Sequence, residues 1–437
     1  NSPTQATTQN THGLKNLPTQ ATTQKLVNSK THHLKNMSSN ITTKAKAFLA
    51  KPFFHDRRTI LWLWIALSVI AAVLKYNRTD NNYRIFRGVF WHTLQGTPLY
   101  AEYPLEYYDV NHYGPFFSLV IAPFALMPIP LGLVFWCIAL SLTLYFAITR
   151  STFSSWQQMF VLWFCSETLL TSLFMQQFNI AIAAIIIASY ALIEKERDFW
   201  AACLIVLGTF VKLYGIVGLA FFFFSRHKGK FVLSLLFWGV VLFVAPMIIS
   251  SLGYVVSQYH EWFVCLVEKN GENLASEAQN ISALGMVRRM LGNPEYSDLL
   301  ILAPALVLFA LPYLRFKQWC NEGFRMTLLA SVLLFTVLFS TGSESSSYII
   351  ALSGVCVWYF AAPWQRGKAD IWLLVFVFLL SSMGSSDLYP RAIKREYIQA
   401  YSLKALPCLI VWLKLCWEMM VKNYEPTHQP LSKGQGE

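Results

Sequence analysis

Residues 199–225 read FWAACLIVLGTFVKLYGIVGLAFFFFS, and the only charge in this stretch, Lys212, decides how the chain is threaded. A straight transmembrane helix requires about 20 apolar residues. The stretch is therefore either one long span with a lysine inside it, or two short spans, 199–212 and 214–225, that turn at Lys212. The flanking charges choose between them. Lys195 and Arg197 precede the stretch, and Arg226, Lys228 and Lys230 follow it. Basic loops stay on the cytoplasmic side. A single crossing would send one cluster outward, so the sequence predicts a hairpin with Lys212 at its outer tip.

Working outward, further apolar runs lie at about 59–76, 130–149, 156–173, 178–193, 231–251, 298–314, 325–341, 346–362, 369–384 and 404–421. The remaining basic connections are Lys51/Arg57/Arg58, Arg150, Arg315/Lys317, Arg366/Lys368 and Lys422. All of them fall on one side if the chain crosses twelve times with both termini inside. The segment 115–128 must then fail to span. Pro115, Pro123 and Pro128 suit a re-entrant or interfacial piece. The same scheme leaves Arg78, Arg84, Arg87, Arg391, Lys394 and Arg395 outside, where they would meet anions. The expected fold is all-α: a polytopic integral membrane protein of about twelve transmembrane helices with loops on its outer face.

Composition agrees. Of 437 residues 55% are hydrophobic and 13% charged, about half the charged share of a soluble domain. The net charge of +12 would suit nucleic acid, but many of the cations sit in short loops between apolar runs, so no nucleic-acid partner is expected. Cys137, Cys165, Cys203, Cys356, Cys408 and Cys416 stand inside apolar runs without a CxxC pair, which argues against disulfides and zinc.

Residues 1–45 are of another kind. They are polar and repeat themselves: Pro3 to Gln9 recurs as Pro18 to Gln24, and Thr11 to Asn16 returns at Thr31 to Asn36. Such a segment cannot bury a core and reads as disordered. It has no apolar stretch of the signal-peptide kind, and Met37 is a candidate for the true start. Residues 46–425 form the membrane domain, and 426–437 a cytoplasmic tail.

Long polar stretches gather on the expected outer face, so chemistry is expected there. Asp80, where the first helix leaves the bilayer, is a candidate general base or a helix N-cap. His112 is a candidate proton carrier or phosphate ligand, or an interfacial hydrogen-bonder. Gln177 and Asn179 share a tip where their amides reach sugar hydroxyls or cap a turn. Lys212 meets an anion or snorkels. In the loop 252–297, Ser282 and Arg289 would share a face if the segment were helical, although Gly285 weakens that helix. Arg288 and Arg289 are suited to clamp a phosphate, or bind headgroups without specificity. Glu344 and Tyr348 belong to a polar turn. No Asp-x-Asp pair, P-loop or HExxH occurs, so neither a metal–nucleotide-sugar site nor ATP hydrolysis nor zinc proteolysis has support.

In chain order, Asp80/Asn82-Tyr83, Gly96 to Tyr100, Tyr113-Gly114-Pro115, Gln177-Phe178-Asn179, Lys212-Leu213-Tyr214 and Asn280-Ile281-Ser282…Arg288 resemble glycosyltransferase family 87, membrane enzymes of the GT-C fold, over about 59–350. The family's acid aligns with Asn82, and Asp80 stands two positions earlier. The late loop has Gly342-Ser343-Glu344-Ser345 where the family has Pro and His. The resemblance implies transfer of a mannose-like hexose, with inversion, from a polyprenyl-phosphate donor to a glycolipid or glycan acceptor. It would occur on the periplasmic or extracellular face of a bacterial inner membrane. Asp80 would be the base, or else another acid such as Glu102, Asp109 or Glu344, or the activity is altered. Lys212 with Arg288 or Arg289 would hold the phosphate, and Gln177, Asn179 and Asn280 would orient the sugar. Asn82, His112, Tyr113, Ser282, Glu344 and Tyr348 complete the substrate-binding set. No cofactor and no protein-held metal is implied, although a divalent ion would be compatible; membrane lipids are the other partner. An oligosaccharide polymerase or ligase would share the large outer loop. A lipid or solute transporter would show inverted repeats and midplane polar groups, which this chain does not.

Overall fold

The computed structural model describes residues 51–276, 278–293, 296–385 and 389–425. The expected polar repeat at 1–45 and the tail at 426–437 lie outside these residues. Two units divide at Asp56. In the first, Pro52–His55 is a single helical turn closed by the Asp56 N–H on the Pro52 carbonyl. All that follows concerns the second.

Among the described residues of this unit the regular structure is helical throughout. In chain order the helices are α1 (Arg57–Lys75), α2 (Asn81–Gln95), α3 (Phe117–Ala125), α4 (Ile129–Thr149), α5 (Ser155–Phe164), α6 (Ser166–Phe174), α7 (Asn179–Glu194) and α8 (Asp198–Val211). A 3-10 segment, Leu213–Phe224, follows, then α9 (Lys228–Val244), α10 (Leu252–Ala275), α11 (Ala283–Leu291), α12 (Leu299–Ala310), α13 (Glu322–Leu338), α14 (Tyr348–Ala361), α15 (Lys368–Phe376) and α16 (Ala405–Val421). Every apolar run read from the sequence is helical. Among the described residues four helical stretches are long and apolar enough to cross a bilayer: Arg57–Lys75, Ile129–Thr149, Lys228–Ile248 and Lys368–Ser385. Five more apolar helices are shorter. The run at 156–173 is broken at Cys165, where α5 ends and α6 begins.

The hairpin at Lys212 forms. A Cβ on Gly215 would come within 2.2 Å of the Gly208 carbonyl carbon, and one on Gly218 within 2.6 Å of Ile205. Contacts in this reversed order define two antiparallel arms, and only glycine permits their approach. The segment 115–128 carries nothing longer than the nine-residue α3, with Pro123 inside it.

The expected polar loop 252–297 is different from its reading. Most of it is the 24-residue α10, capped by Ser251, whose Oγ accepts from the Tyr254 N–H. Its polar letters hide a two-sided helix whose last turns reach a cavity. Leu252, Val256, Phe263 and Val267 are exposed along one side, Val255, Trp262 and Cys265 are buried on another, and Lys269, Asn270 and Asn273 face a cavity. Gly285 does not prevent α11, because it stands in the first turn and its N–H caps onto Ser282 Oγ at 3.0 Å.

α7 is the hub. Nearly every residue from Asn179 to Ile193 is buried, the mark of a helix apolar on all sides and enclosed by others. Its C-terminal Glu194 takes a bidentate contact from Arg325, with two 2.7 Å bonds. At the same end of the bundle Arg366 reaches Glu418 at 2.7 Å, donates to the Trp358 carbonyl, and Trp358 Nε1 donates to the other Glu418 oxygen at 2.9 Å. Both side chains of this pair are about 5% exposed or less. Removing one partner of a buried pair strands the other charge, at a cost of about 3–5 kcal/mol. Glu418→Ala is expected to lower the thermal stability of the purified protein by that order, and the added Arg366→Met to recover part of it, measured as unfolding midpoints in one detergent.

Candidate active site

At the opposite end of α7 the polar side chains converge. Lys212, at the hairpin turn, is half-buried and donates to Asn179 Oδ1 at 2.7 Å. Asn179 Nδ2 donates to Gln177 Oε1 at 2.8 Å, and Gln177 Nε2 donates to Glu344 Oε2 at 2.8 Å. Ser346 Oγ braces the middle, 3.0 Å from both Gln177 Oε1 and Asn179 Nδ2. Each link hands its donor toward the carboxylate, so the chain has one sense from cation to anion. The ammonium also lies 5.0 Å from the Tyr214 ring centroid and 5.9 Å from that of Tyr113. Burial lowers the Lys212 pKa below that of a free lysine, and the Glu344 charge opposes the shift.

Lys212, Gln177 and Glu344 of this chain line a cavity of about 260 Å3 whose other wall is Lys269, Asn270 and Asn273 of α10, while Asn179 and Ser346 are buried behind them. Thr341 Oγ1 bonds Asn270 Oδ1 at 2.6 Å and closes the roof. A second hollow of about 210 Å3 shares His112, Tyr113, Gln177, Gln279 and Glu344 with it and adds Asn82 and Asp109. Gly114 lets the first loop pass between α8 and α10: a Cβ there would meet the Phe210 carbonyl at 2.1 Å and the Trp262 ring at 2.9 Å.

Two buried atoms on these walls make no hydrogen bond, His112 Nε2 and Asn273 Oδ1. His112 Nδ1 contacts Cys265 Sγ at 3.3 Å, and Asp109 Oδ1 stands 3.8 Å from Nε2. Burial, aided by Lys269, pushes His112 down to about 4, so the ring is neutral at pH 7. Asp109 adopts φ +71°, a left-handed conformation that costs a non-glycine residue energy. Its Oδ1 accepts its neighbour's N–H from Val110 at 2.8 Å.

The other expected site residues lie elsewhere. Asp80 faces a separate hollow with Asn77, Arg78, Arg84 and Glu106, and pairs with Arg84 at 3.1 Å. It occupies the N-cap position of α2 without a side-chain cap bond. Asn82 is the one at the second hollow, where Nδ2 donates to the Met175 carbonyl at 2.8 Å. Arg288 and Arg289 form no clamp. Arg288 is held by Asp298 and the Tyr296 carbonyl, both at 2.8 Å. Arg289 bonds the carbonyls of Ser276, Gln279 and Gln399 and the Ser402 hydroxyl. Asn280, Ser282 and Tyr348 support the Glu344 loop from behind: Ser282 Oγ donates to Asn280 Oδ1, the Ile281 N–H to the Ser343 carbonyl, and Tyr348 OH to the Ile281 carbonyl. Among the described residues no three His, Cys, Asp or Glu side chains gather closely enough to hold a metal ion.

The sequence reading missed Lys269, Asn270, Asn273 and Lys404. The first three are legible only once 252–275 is taken as a helix, where their spacing puts them on one face. Lys404 stands just ahead of α16, 2% exposed. Its ammonium donates to Ser385 Oγ at 2.8 Å and to the Ser345 carbonyl at 3.3 Å, beside the Glu344 loop.

With this geometry in place, comparison with known families is informative. The family model of glycosyltransferase family 87 matches residues 111–341. That span holds His112, Gln177, Asn179 and Lys212 and stops just short of Glu344. The chain belongs to glycosyltransferase family 87 and is a glycosyltransferase with membrane-type helices. No curated protein matches it.

Burial lowers the Lys404 pKa to about 8, whereas an unfolded chain holds that proton to about 10.4. Between these values the unfolded state binds more protons, so stability rises with pH. Unfolding midpoints at pH 8 and pH 10 are expected to show this gain in the native chain and to lose it in Lys404→Met.

Proposed function

We propose that this protein moves a mannose-like hexose from a polyprenyl-phosphate donor to a hydroxyl of a glycolipid or glycan, with inversion. The observation that carries the reading is Lys212: a cation at a hairpin tip, tied to Glu344 through two amides, facing a cavity with unsatisfied polar atoms. The basic end of the bundle would be cytoplasmic by the charge rule. The cleft end would then be periplasmic or extracellular in a bacterial inner membrane, with twelve crossings and the donor's lipid tail between helices.

The donor phosphate would sit at Lys212, with Lys269 across the cavity. Electrostatic stabilisation by fixed cations is worth most where charge develops and water is excluded. Gln177, Asn179 and Asn273 would orient the sugar. The base moves from Asp80 to Asp109. Asp80 is committed to Arg84 in another hollow, whereas Asp109 stands in the second hollow with a strained backbone and the neutral His112 beside it. The acceptor oxygen attacks the anomeric carbon as its proton passes to Asp109. The bond from that carbon to the phosphate oxygen breaks, and its electron pair leaves with polyprenyl phosphate.

The test is transfer from polyprenyl-phosphate mannose to a glycolipid extract by purified protein. Lys212→Ala is expected to lower kcat about 10²–10³-fold, and Asp109→Asn about 10²–10⁴-fold. Asp80→Asn should stay near the native rate. Loss with Asp80→Asn and not with Asp109→Asn would return the base to Asp80, and no transfer from any polyprenyl-phosphate sugar would sink the donor assignment. Because the depressed Lys212 pKa means the ammonium is lost early, activity should fall on an alkaline limb that begins below the ordinary lysine value of about 10.4. A pH–rate profile checks this.

A further inference from the structure

A further hollow lies away from the cleft. A groove of about 610 Å3 lies between α4, α7 and α8 at the basic end of the bundle. Its sides are apolar: Phe146 and Ala147 of α4, Ala184, Ala188 and Ala191 of α7, and Leu204 of α8. α4 is long and apolar enough to cross a bilayer, so the groove opens along a surface that meets acyl chains. At its end stand three cations, Arg150, Lys195 and Arg197.

The turn carrying two of them reads Glu194-Lys195-Glu196-Arg197-Asp198, and none of its acids forms an ion pair with the three cations. Glu194 is held by Arg325 and Glu196 by Arg226 at 2.7 Å with His227 at 3.7 Å, while Asp198 is buried with neither carboxylate oxygen hydrogen-bonded. Lys195 Nζ donates to the Arg150 carbonyl at 2.6 Å, which draws the separate chain segments into one cluster and leaves ammonium protons unused. The Arg150 guanidinium lies 4.9 Å from the Phe146 ring centroid at the groove wall.

We propose that this groove holds an anionic glycerophospholipid, its acyl chain against the alanines and its phosphate on Arg150, Lys195 and Arg197. Charge complementarity selects an anionic headgroup, and the apolar trough adjoining it selects a lipid over a free phosphate. A basic loop that only orients the chain in the membrane needs no trough, and a trough that only meets bulk lipid needs no cation cluster. The site is at the opposite end of α7 from the cleft and does not depend on the assigned donor.

The test uses full-length protein in detergent, titrated with phosphatidylglycerol, phosphatidylcholine, polyprenyl phosphate or inorganic phosphate and read by native mass spectrometry. One phosphatidylglycerol is expected to be retained per chain, about tenfold or more over phosphatidylcholine, with inorganic phosphate not retained. The triple change Arg150→Gln, Lys195→Gln, Arg197→Gln should abolish that preference. Thr143→Trp, an exposed position on the groove wall, should lower retention with the charges intact. The double change Lys230→Gln, Lys317→Gln removes two exposed cations outside the groove and should leave retention as it was. Equal loss in that control, equal retention of phosphatidylcholine, or tighter retention of polyprenyl phosphate each overturns the proposal.

Discussion

The structure turns on a helix buried along nearly all of its length. Each end of α7 gathers partners from distant parts of the chain. At one end Glu194 takes Arg325. At the other Asn179 takes Lys212, Gln177 and Ser346. A cation carried on a hairpin tip into this setting requires an acceptor, and the Asn179 carbonyl supplies one. The hairpin arms meet through Gly208 and Gly215, and that close approach brings the tip to α7.

The division of labour between the ends follows. The basic end is built from direct ion pairs between helices that fix the bundle. The cleft end is built from amides, hydroxyls and rings on loops, with a helix laid across as a roof. Amides satisfy one another in the absence of substrate and retain lone pairs and protons for a ligand. Glu344 and the neutral imidazole of His112 lie on the wall the two hollows share, and Asp109 lines the second hollow beside it. Groups that hold the loop, such as Arg289, Asn280 and Tyr348, sit behind that wall.

Much of this was legible in the residues. The single charge in 199–225 gave the hairpin, and the proline spacing at 115–128 limited that piece to a short helix. Lys212, Gln177 and Asn179 were legible as a set because a polar residue at a helix tip is conspicuous against an apolar background. What was not legible depended on three-dimensional pairing. Arg288 and Arg289 look like a phosphate clamp in sequence, but Asp298 and four oxygens from the 276–279 and 399–402 segments claim them. Asp80 looked like the acid nearest the first helix, and its neighbour one turn on, Arg84, takes it. α10 was concealed because its apolar residues divide between a buried and an exposed side, so no uniform stripe emerges. Lys404 was missed because a lysine beside an apolar run reads as a boundary marker until its burial is seen.

The bond between Lys212 and Asn179 bears on turnover. An anion held there as proposed would share the ammonium with the Asn179 side-chain oxygen, at the head of a directed chain ending at Glu344. The Asn179 side-chain oxygen is thus a resident acceptor for the lysine. If the proposed donor is right, the spent carrier is a phosphate monoester, more negatively charged than the diester it came from, and a bare cation would hold it too long. A built-in rival for the charge shortens that residence, and where release limits the cycle it sets the pace as much as the chemistry does.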